Sequence, residues 1–153
     1  GYKFKAIQTG GPSGGVITEK DLDTPIDFEN LVAIGSMMGS GGMIVMDERD
    51  NMVEIAKFYM EFTMDESCGR CTPCRIGTKR MFEILEKISS KKATMADIDA
   101  LKQLAYMVKG SSLCGLGQTA PNPVISTLKH FWQEYMDLVK DKDTPQGEGI
   151  PSP

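Results

Sequence analysis

The sequence predicts an α+β fold in which a small α/β unit precedes a four-helix bundle. Two observations lead to this prediction. The first 50 residues are rich in glycine and in short β-forming runs, whereas apolar residues recur at three- and four-residue steps after residue 50. The chain has 153 residues, 41% of them hydrophobic, which suffices for one ordinary domain or two small ones. We expect three parts: residues 1–50, residues 51–139 and a flexible tail at residues 140–153, where apolar side chains are scarce.

The N-terminal part combines strands and one helix, separated by glycine turns. Residues 2–9 alternate apolar and lysine side chains, which predicts a half-buried strand. Asp27 is expected to cap a short helix that ends at Gly35, and residues 43–47 predict a short buried strand. This unit is small for a complete domain, so the chain is expected to begin partway through one. The apolar stripe of the helix would comprise Phe28, Leu31 and Val32.

Four amphipathic helices are predicted after residue 50. The first covers residues 51–67, and the second runs from about Cys74 to Ser89. The third is capped by Thr94, has Asp97 at its third position and closes at Gly110, and the fourth begins with the pair at 122–123, where proline takes the first helical position. The residues expected to face the core are Met52, Ile55, Ala56 and Tyr59; Ile76, Met81, Phe82, Leu85 and Ile88; Ile98, Leu101, Leu104, Ala105 and Val108; and Val124, Leu128, Phe131, Tyr135 and Leu138.

Charge and composition exclude several classes of protein. A formal net charge of -4 argues against nucleic-acid binding, because phosphate contacts require clustered Lys and Arg. No apolar run is long enough for membrane insertion, and no signal peptide opens the chain. Residue 1 is Gly rather than Met, so the true start is expected to be missing or processed, and a cytosolic location is expected. The only basic cluster would either form a solvated helix face or balance an anionic centre; it comprises Arg70, Arg75, Lys79 and Arg80.

The cysteines form the most informative pattern. Cys68, Cys71 and Cys74 lie within "SCGRCTPCR", and Cys114 lies in "SSLCGLGQ". Disulfides are disfavoured, because cysteines three residues apart at a helix start rarely meet disulfide geometry. Free core thiols do not explain three cysteines in one loop. A zinc site is a third interpretation, although structural zinc more often uses two separate Cys-x2-Cys pairs.

A [4Fe-4S] cluster is the interpretation that the spacing favours. Each iron corner of the cube needs one thiolate, and bacterial ferredoxins use the same three-in-a-loop spacing with a distant fourth ligand. Gly69 would let the loop pass close to the cluster, and both cysteine segments precede predicted helices, whose N-terminal N–H groups favour an anion. We therefore expect Cys68, Cys71, Cys74 and Cys114 to bind the cluster, with zinc as the alternative.

Other motifs predict no catalytic residue. The glycine-rich residues 35–42 lack the spacing and the lysine of a phosphate-binding loop, and are interpreted as a tight turn. Asp47 and Glu48 are interpreted as a turn at a strand end, and His130, the sole histidine, as a packing or surface residue rather than a ligand. Because no nucleophile–base pair can be nominated, the residues describe an electron carrier rather than a catalyst.

Two long segments resemble a known family. "ESCGRCTPCRIG" and "SSLCGLGQTAPNPV" resemble the C-terminal iron–sulfur domain of the NADH-binding flavoprotein (51 kDa-type) subunit of respiratory complex I. The same subunit type occurs in NAD(P)-linked hydrogenases and formate dehydrogenases. "KAIQTGGPSGG" and "IGSMMGSGGMIVMDE" are similar to the soluble-ligand-binding β-grasp-like domain that precedes it. The resemblance covers residues 1 to about 138.

The resemblance implies a fold, a function and partners. It implies a partial β-grasp-like domain at residues 1–50 and a helical [4Fe-4S] domain at residues 51–139, with the four cysteines as ligands. The function would be a one-electron relay from reduced FMN, fed by NADH or NADPH, to partner iron–sulfur subunits, one of them [2Fe-2S] thioredoxin-like and one larger and ferredoxin-like. The FMN and NAD(P)H sites are expected on an upstream domain that this sequence lacks, so the fragment alone is not expected to be catalytic. The parent complex would be cytoplasmic or lie on the cytoplasmic face of a membrane. The alternative function is a non-redox, zinc-stapled interaction or scaffold module.

Overall fold

The computed structural model describes residues 1–140. Residues 141–153 of the predicted tail lie outside the described residues. The described part has an α+β fold, as predicted, with a small sheet followed by packed helices. In chain order, the strands and helices are β1 (Phe4–Thr9), β2 (Val16–Ile17), α1 (Phe28–Ala33), β3 (Met43–Asp47), α2 (Met52–Asp65), α3 (Thr72–Ser89), α4 (Met95–Ser111), α5 (Gly115–Thr119), α6 (Asn122–His130) and α7 (Trp132–Leu138), with short 3-10 turns at Gly11–Ser13 and Glu19–Asp21.

The sheet has the strand order β2-β1-β3, with both pairings antiparallel. A strand forms at residues 43–47 as predicted, but the prediction that it is buried is wrong. Only Met46 is buried, and Val45 is 67% exposed. The reason is coverage: Met46 is the residue of β3 that packs into a buried cluster, which Met52 in the first turn of α2 also joins.

Helix α1 begins as the sequence predicts. The Oδ1 atom of Asp27 accepts a hydrogen bond from the N–H of Asn30 at 2.8 Å, which is an N-cap contact. The predicted apolar stripe is wrong, because only Leu31 is buried while Phe28 and Val32 are 67% and 59% exposed. A helix of six residues has less than two turns and buries only this one side chain.

The main core lies between α2, α3, α4, α6 and α7. Helix α4 confirms the predicted stripe and cap, with Asp97 Oδ2 accepting from the Thr94 N–H at 2.7 Å. Two details were predicted wrongly: α4 continues through Gly110 to Ser111, and Ile76 of α3 is 48% exposed. Helix α3 begins at Thr72, two residues before the predicted start. Small side chains take the inward positions of its first two turns, namely Cys74, Gly77 and Thr78.

The predicted fourth helix is in fact two helices. The helix is interrupted at Phe131, whose φ of -127° and ψ of 36° lie outside the helical region. Across the break, the hydroxyl groups of Thr127 and Tyr135 share a buried hydrogen bond of 2.8 Å. Burial raises the pKa of Tyr135, so its hydroxyl stays neutral and can hold α7 against α6.

Replacing Tyr135 with phenylalanine should therefore reduce the free energy of unfolding by about 1 kcal/mol, the usual value of one such hydrogen bond. The loss stays small because Thr127 Oγ1 also donates to the Pro123 carbonyl at 2.7 Å. Urea denaturation measures the effect. The matched control is Tyr106→Phe, since Tyr106 is 41% exposed and its change should leave stability unaltered. Equal losses in the two variants would contradict the role assigned to the buried hydrogen bond.

Polar contacts join the sheet to the last helices. The N–H of Val16 on β2 donates to Ser126 Oγ on α6 at 3.0 Å. Glu134 of α7 forms an ion pair with Lys5 of β1 at 2.7 Å and accepts from the N–H of Met52 at 2.9 Å. The carboxylate of Glu134 thus bridges the sheet and the start of α2. None of the helices in residues 1–140 has the length and apolar content needed to cross a membrane.

Candidate functional site

The four cysteines lie on two connecting segments at the starts of helices. Cys68 and Cys71 lie between α2 and α3, and Cys71 is the N-cap residue of α3. Cys74 lies in the first turn of that helix, and Cys114 is the N-cap residue of α5. All four thiols are free; Cys74 is buried, Cys71 is half-buried, and Cys68 and Cys114 are exposed. The prediction that both cysteine segments precede helices is confirmed for α3; after Cys114 an additional helix, α5, comes before the predicted helix that begins at Asn122.

The two segments approach each other at Cys71. The backbone N–H of Leu113, the residue before Cys114, faces the Cys71 thiol and lowers its pKa. The Cys74 N–H acts in the same direction, and both N–H effects exceed the opposing effect of burial; the charge of Arg75 adds a smaller lowering of the pKa. Cys71 is therefore held beside the Cys114 segment and is favoured as a thiolate, which is the form that binds metals.

A second contact joins the segments at Gly117 of α5. A Cβ atom added at Gly117 would lie 2.6 Å from Ser112 Cβ and 3.1 Å from Cys74 Cβ. Only a glycine lets α5 lie this close to the start of α3. On the other side, Ser67 Oγ lies 3.3 Å from Cys74 Sγ, within hydrogen-bond reach of sulfur. Cys74 therefore has a hydroxyl beside its sulfur and α5 beside its Cβ.

The loop before α3 is shaped by Gly69 and Arg75. Gly69 has a φ of 69°, a left-handed conformation that favours glycine. Arg75 Nη1 donates to the Gly69 carbonyl at 2.6 Å, which ties the loop back onto the helix. In the predicted basic cluster, Arg80 pairs with Glu83 at 2.7 Å and is exposed, in agreement with a solvated helix face.

The residues meet the chemical needs of an iron–sulfur cluster. Within residues 1–140, no three or more His, Cys, Asp and Glu side chains converge in a way that could hold a metal ion. A [4Fe-4S] cluster does not need its ligands to converge on one atom, because each thiolate binds a different iron and the four ligands surround the cluster. The observations that fit are the free thiols, the Leu113 N–H at Cys71, and a buried Ser112 hydroxyl that has no hydrogen-bond partner in the described part of the chain.

Sequence reasoning missed several residues of this site. Ser67, Ser112 and the N–H of Leu113 were not identified, and α5 was not predicted as a helix. A usable signal was the serines that flank the cysteine motifs, since hydroxyl groups can donate to sulfur. A backbone N–H such as that of Leu113 leaves no signal in a sequence.

His130 lies elsewhere, in a cleft of about 270 Å³ between the end of α1, α4 and α6. Lys109 and Lys129 line the same cleft. Burial lowers the pKa of His130, and the charge of Lys129 lowers it further. A half-buried histidine among lysines agrees with the predicted packing or surface role.

Residues 54–138 match the family described as the NADH-ubiquinone oxidoreductase-F iron-sulfur binding region. The chain is 59% identical over 145 residues to the HndC subunit of the NADP-reducing hydrogenase of Solidesulfovibrio fructosivorans, and this match covers 95% of this chain and 30% of that protein. It is 37% identical over 145 residues to the F-type subunit of the NADH-quinone oxidoreductase of Streptomyces coelicolor, a match that covers 95% of this chain and 32% of that protein.

A solved structure is also similar. The crystal structure of an NAD+-reducing [NiFe]-hydrogenase in the H2-reduced state superposes with a TM-score of 0.83 and 33% sequence identity, covering 93% of this chain and 24% of that one. The chain thus spans 30% and 32% of the length of the two curated relatives described above.

Proposed function

Because the chain belongs to the family of NADH-ubiquinone oxidoreductase-F iron-sulfur binding regions, which implies a [4Fe-4S] cluster, we propose that it is the one-electron relay of a larger NAD(P)-linked oxidoreductase subunit. The proposed cluster ligands are Cys68, Cys71, Cys74 and Cys114. When bound, the cluster supplies a centre that can take up and release a single electron. The relay would connect a reduced FMN, fed by NADH or NADPH on the rest of the parent subunit, with partner iron–sulfur subunits.

The packing of Gly117 against Ser112 and Cys74 is the observation that carries this proposal. It supports a shared site for two segments separated by about forty residues, as the ligand set requires. The Leu113 N–H, which lowers the pKa of the Cys71 thiol, supports the same pairing of segments.

The residues around the thiols would prepare them for an anionic group. The N–H groups of Leu113 and Cys74 favour the Cys71 thiolate, and the hydroxyl of Ser67 lies beside Cys74 Sγ. Arg75 adds a positive charge and fixes the loop through the Gly69 carbonyl. Donors and positive charge stabilise thiolates and reduce the cost of holding a negatively charged cluster.

For the N-terminal unit we propose a scaffold role, in which residues 1–50 seat the helical domain of residues 51–139 against the flavin-bearing part of the subunit. The contacts of Val16 with Ser126 and of Lys5 with Glu134 support this, because they join the sheet to α6 and α7. We place the assembly in the cytoplasm or on the cytoplasmic face of a membrane, since four free thiols suit a reducing compartment.

Anaerobic reconstitution with iron and sulfide tests the proposal. The chain should take up about four iron and four sulfide ions, and reduction should produce an EPR signal that disappears on reoxidation. Stoichiometric uptake of zinc, with no uptake of iron or sulfide, would instead support the zinc-stapled scaffold and contradict the relay.

A further inference from the structure

Ser112 has a buried hydroxyl group whose hydrogen-bonding capacity is unused. The residue is 5% exposed, and its Oγ atom has no hydrogen-bond partner within residues 1–140. Buried hydroxyls are nearly always paired, because leaving one unpaired costs free energy. An unpaired buried hydroxyl two residues before a proposed cluster ligand therefore indicates a partner that becomes available when the cluster is bound.

The backbone of Ser112 is fixed on both sides. Its N–H donates to the Val108 carbonyl at 3.1 Å, and its carbonyl accepts from Gln118 Nε2 at 3.1 Å. These contacts hold the residue between the end of α4 and the start of α5. The backbone of Ser112 is therefore held in place, with its side chain buried.

The hydroxyl lies in the immediate neighbourhood of Cys74. The Cβ position built on Gly117 is 2.6 Å from Ser112 Oγ and 3.1 Å from Cys74 Cβ, so both groups border the same small space. The Cys74 sulfur is also 3.3 Å from Ser67 Oγ. Ser112 thus lies where the two cysteine segments meet.

We infer that the Ser112 hydroxyl donates a hydrogen bond to a sulfur atom of the bound cluster, either the Cys74 thiolate or an inorganic sulfide, and thereby raises the reduction potential. The inference rests on the proposed function. A donor to sulfur stabilises the more negatively charged reduced state more than the oxidised state, so its removal favours the oxidised state. The hydroxyl is unpaired in the chain without the cluster and becomes paired when the cluster binds.

This role predicts that Ser112→Ala changes the reduction potential of the cluster-bound chain but does not destabilise the cluster-free chain. With the cluster bound, the midpoint potential should become more negative than that of the wild type, because a donor is lost. Without the cluster, the melting temperature should be unchanged or higher, because the substitution removes an unpaired buried polar group. A merely structural serine would lower the melting temperature and leave the potential unchanged.

The experiment is an EPR-monitored redox titration of the reconstituted full chain, together with thermal melting of the cluster-free chain. Ser112→Thr keeps the hydroxyl and should restore most of the wild-type potential. Ser111→Ala is the matched control, since Ser111 is exposed and its hydroxyl donates to the Met107 carbonyl within α4. This control should titrate like the wild type.

Three outcomes would count against the inference. A Ser112→Ala chain with a full cluster and the wild-type potential would overturn it and leave the proposed function intact, and so would an equal shift in Ser111→Ala. A wild-type chain that takes up no cluster would overturn the proposed function and this inference with it.

Discussion

Replacement of Cys114 by alanine is expected to abolish the four-iron cluster while the fold persists. Three thiolates leave one iron corner without a protein ligand, and an iron held in this way is easily lost, so the iron content should fall to about three per chain or fewer and the EPR signal of the reduced wild type should disappear. Because Cys114 is exposed, the substitution should change the free energy of unfolding of the cluster-free chain by no more than about 0.5 kcal/mol. Iron and sulfide analysis, EPR and urea denaturation measure these three quantities.

The neighbouring residue provides the matched control for this loss. Leu113 is 79% exposed, so Leu113→Ser alters a surface side chain and retains all four cysteines. It also retains the backbone N–H that faces Cys71. The Leu113→Ser chain should therefore bind the full cluster. A Cys114→Ala chain with wild-type iron content and spectrum would show that the fourth ligand had been assigned wrongly.

The sequence predicts the bundle best where apolar side chains alone mark the inward face. Helix α4 is the clearest case, since Ile98, Leu101 and Val108 are all fully buried as expected. At the start of α3 the pattern misleads, because Gly77 and Thr78 take the inward positions and Ile76 is left half-exposed. Close approach of two helices favours small residues, which a hydrophobicity pattern does not record as core.

The N-terminal unit shows a different limit. The alternation of apolar residues identifies β1 and β3, but burial depends on which neighbours cover a strand. In β3 only Met46 is buried, where it packs with Met52 of α2, whereas both residues of the other edge strand, β2, are buried. The two-residue strand β2 and the five-residue helix α5 are too short for any periodicity to reveal.

The candidate site, too, could be predicted only in part from the sequence. The spacing of the cysteines predicts the ligand set, which stays a prediction until a cluster is measured. The groups that bring the two segments together were not predictable, because the N–H of Leu113 belongs to the backbone and the contact at Gly117 depends on how α5 packs. Sequence patterns identify atoms that could bind a cluster, and tertiary packing decides whether they reach it.

Substitution of Gly117 by alanine is the prediction that tests this packing. The added Cβ atom would lie 2.6 Å from Ser112 Cβ, closer than two such carbons approach in proteins, and 3.1 Å from Cys74 Cβ, which is tighter than an ordinary van der Waals contact. Neither neighbour is the mobile end of a long side chain, so α5 must move away from α3. Overpacking of this kind costs about 1–3 kcal/mol, which exceeds the roughly 1 kcal/mol that alanine gains over glycine inside a helix. Urea denaturation should show a net loss of stability.

The same displacement should also weaken cluster binding, because Cys114 begins α5 and would move with it relative to Cys74. The control lies two residues earlier on the same helix: a Cβ atom at Gly115 would meet nothing within 4 Å. Gly115→Ala should therefore keep the wild-type iron content and be as stable as the wild type or slightly more so. Equal behaviour of the two variants would mean that α5 is not held against Cys74. In that case the two cysteine segments would lack one of the two contacts on which the proposed shared cluster site rests.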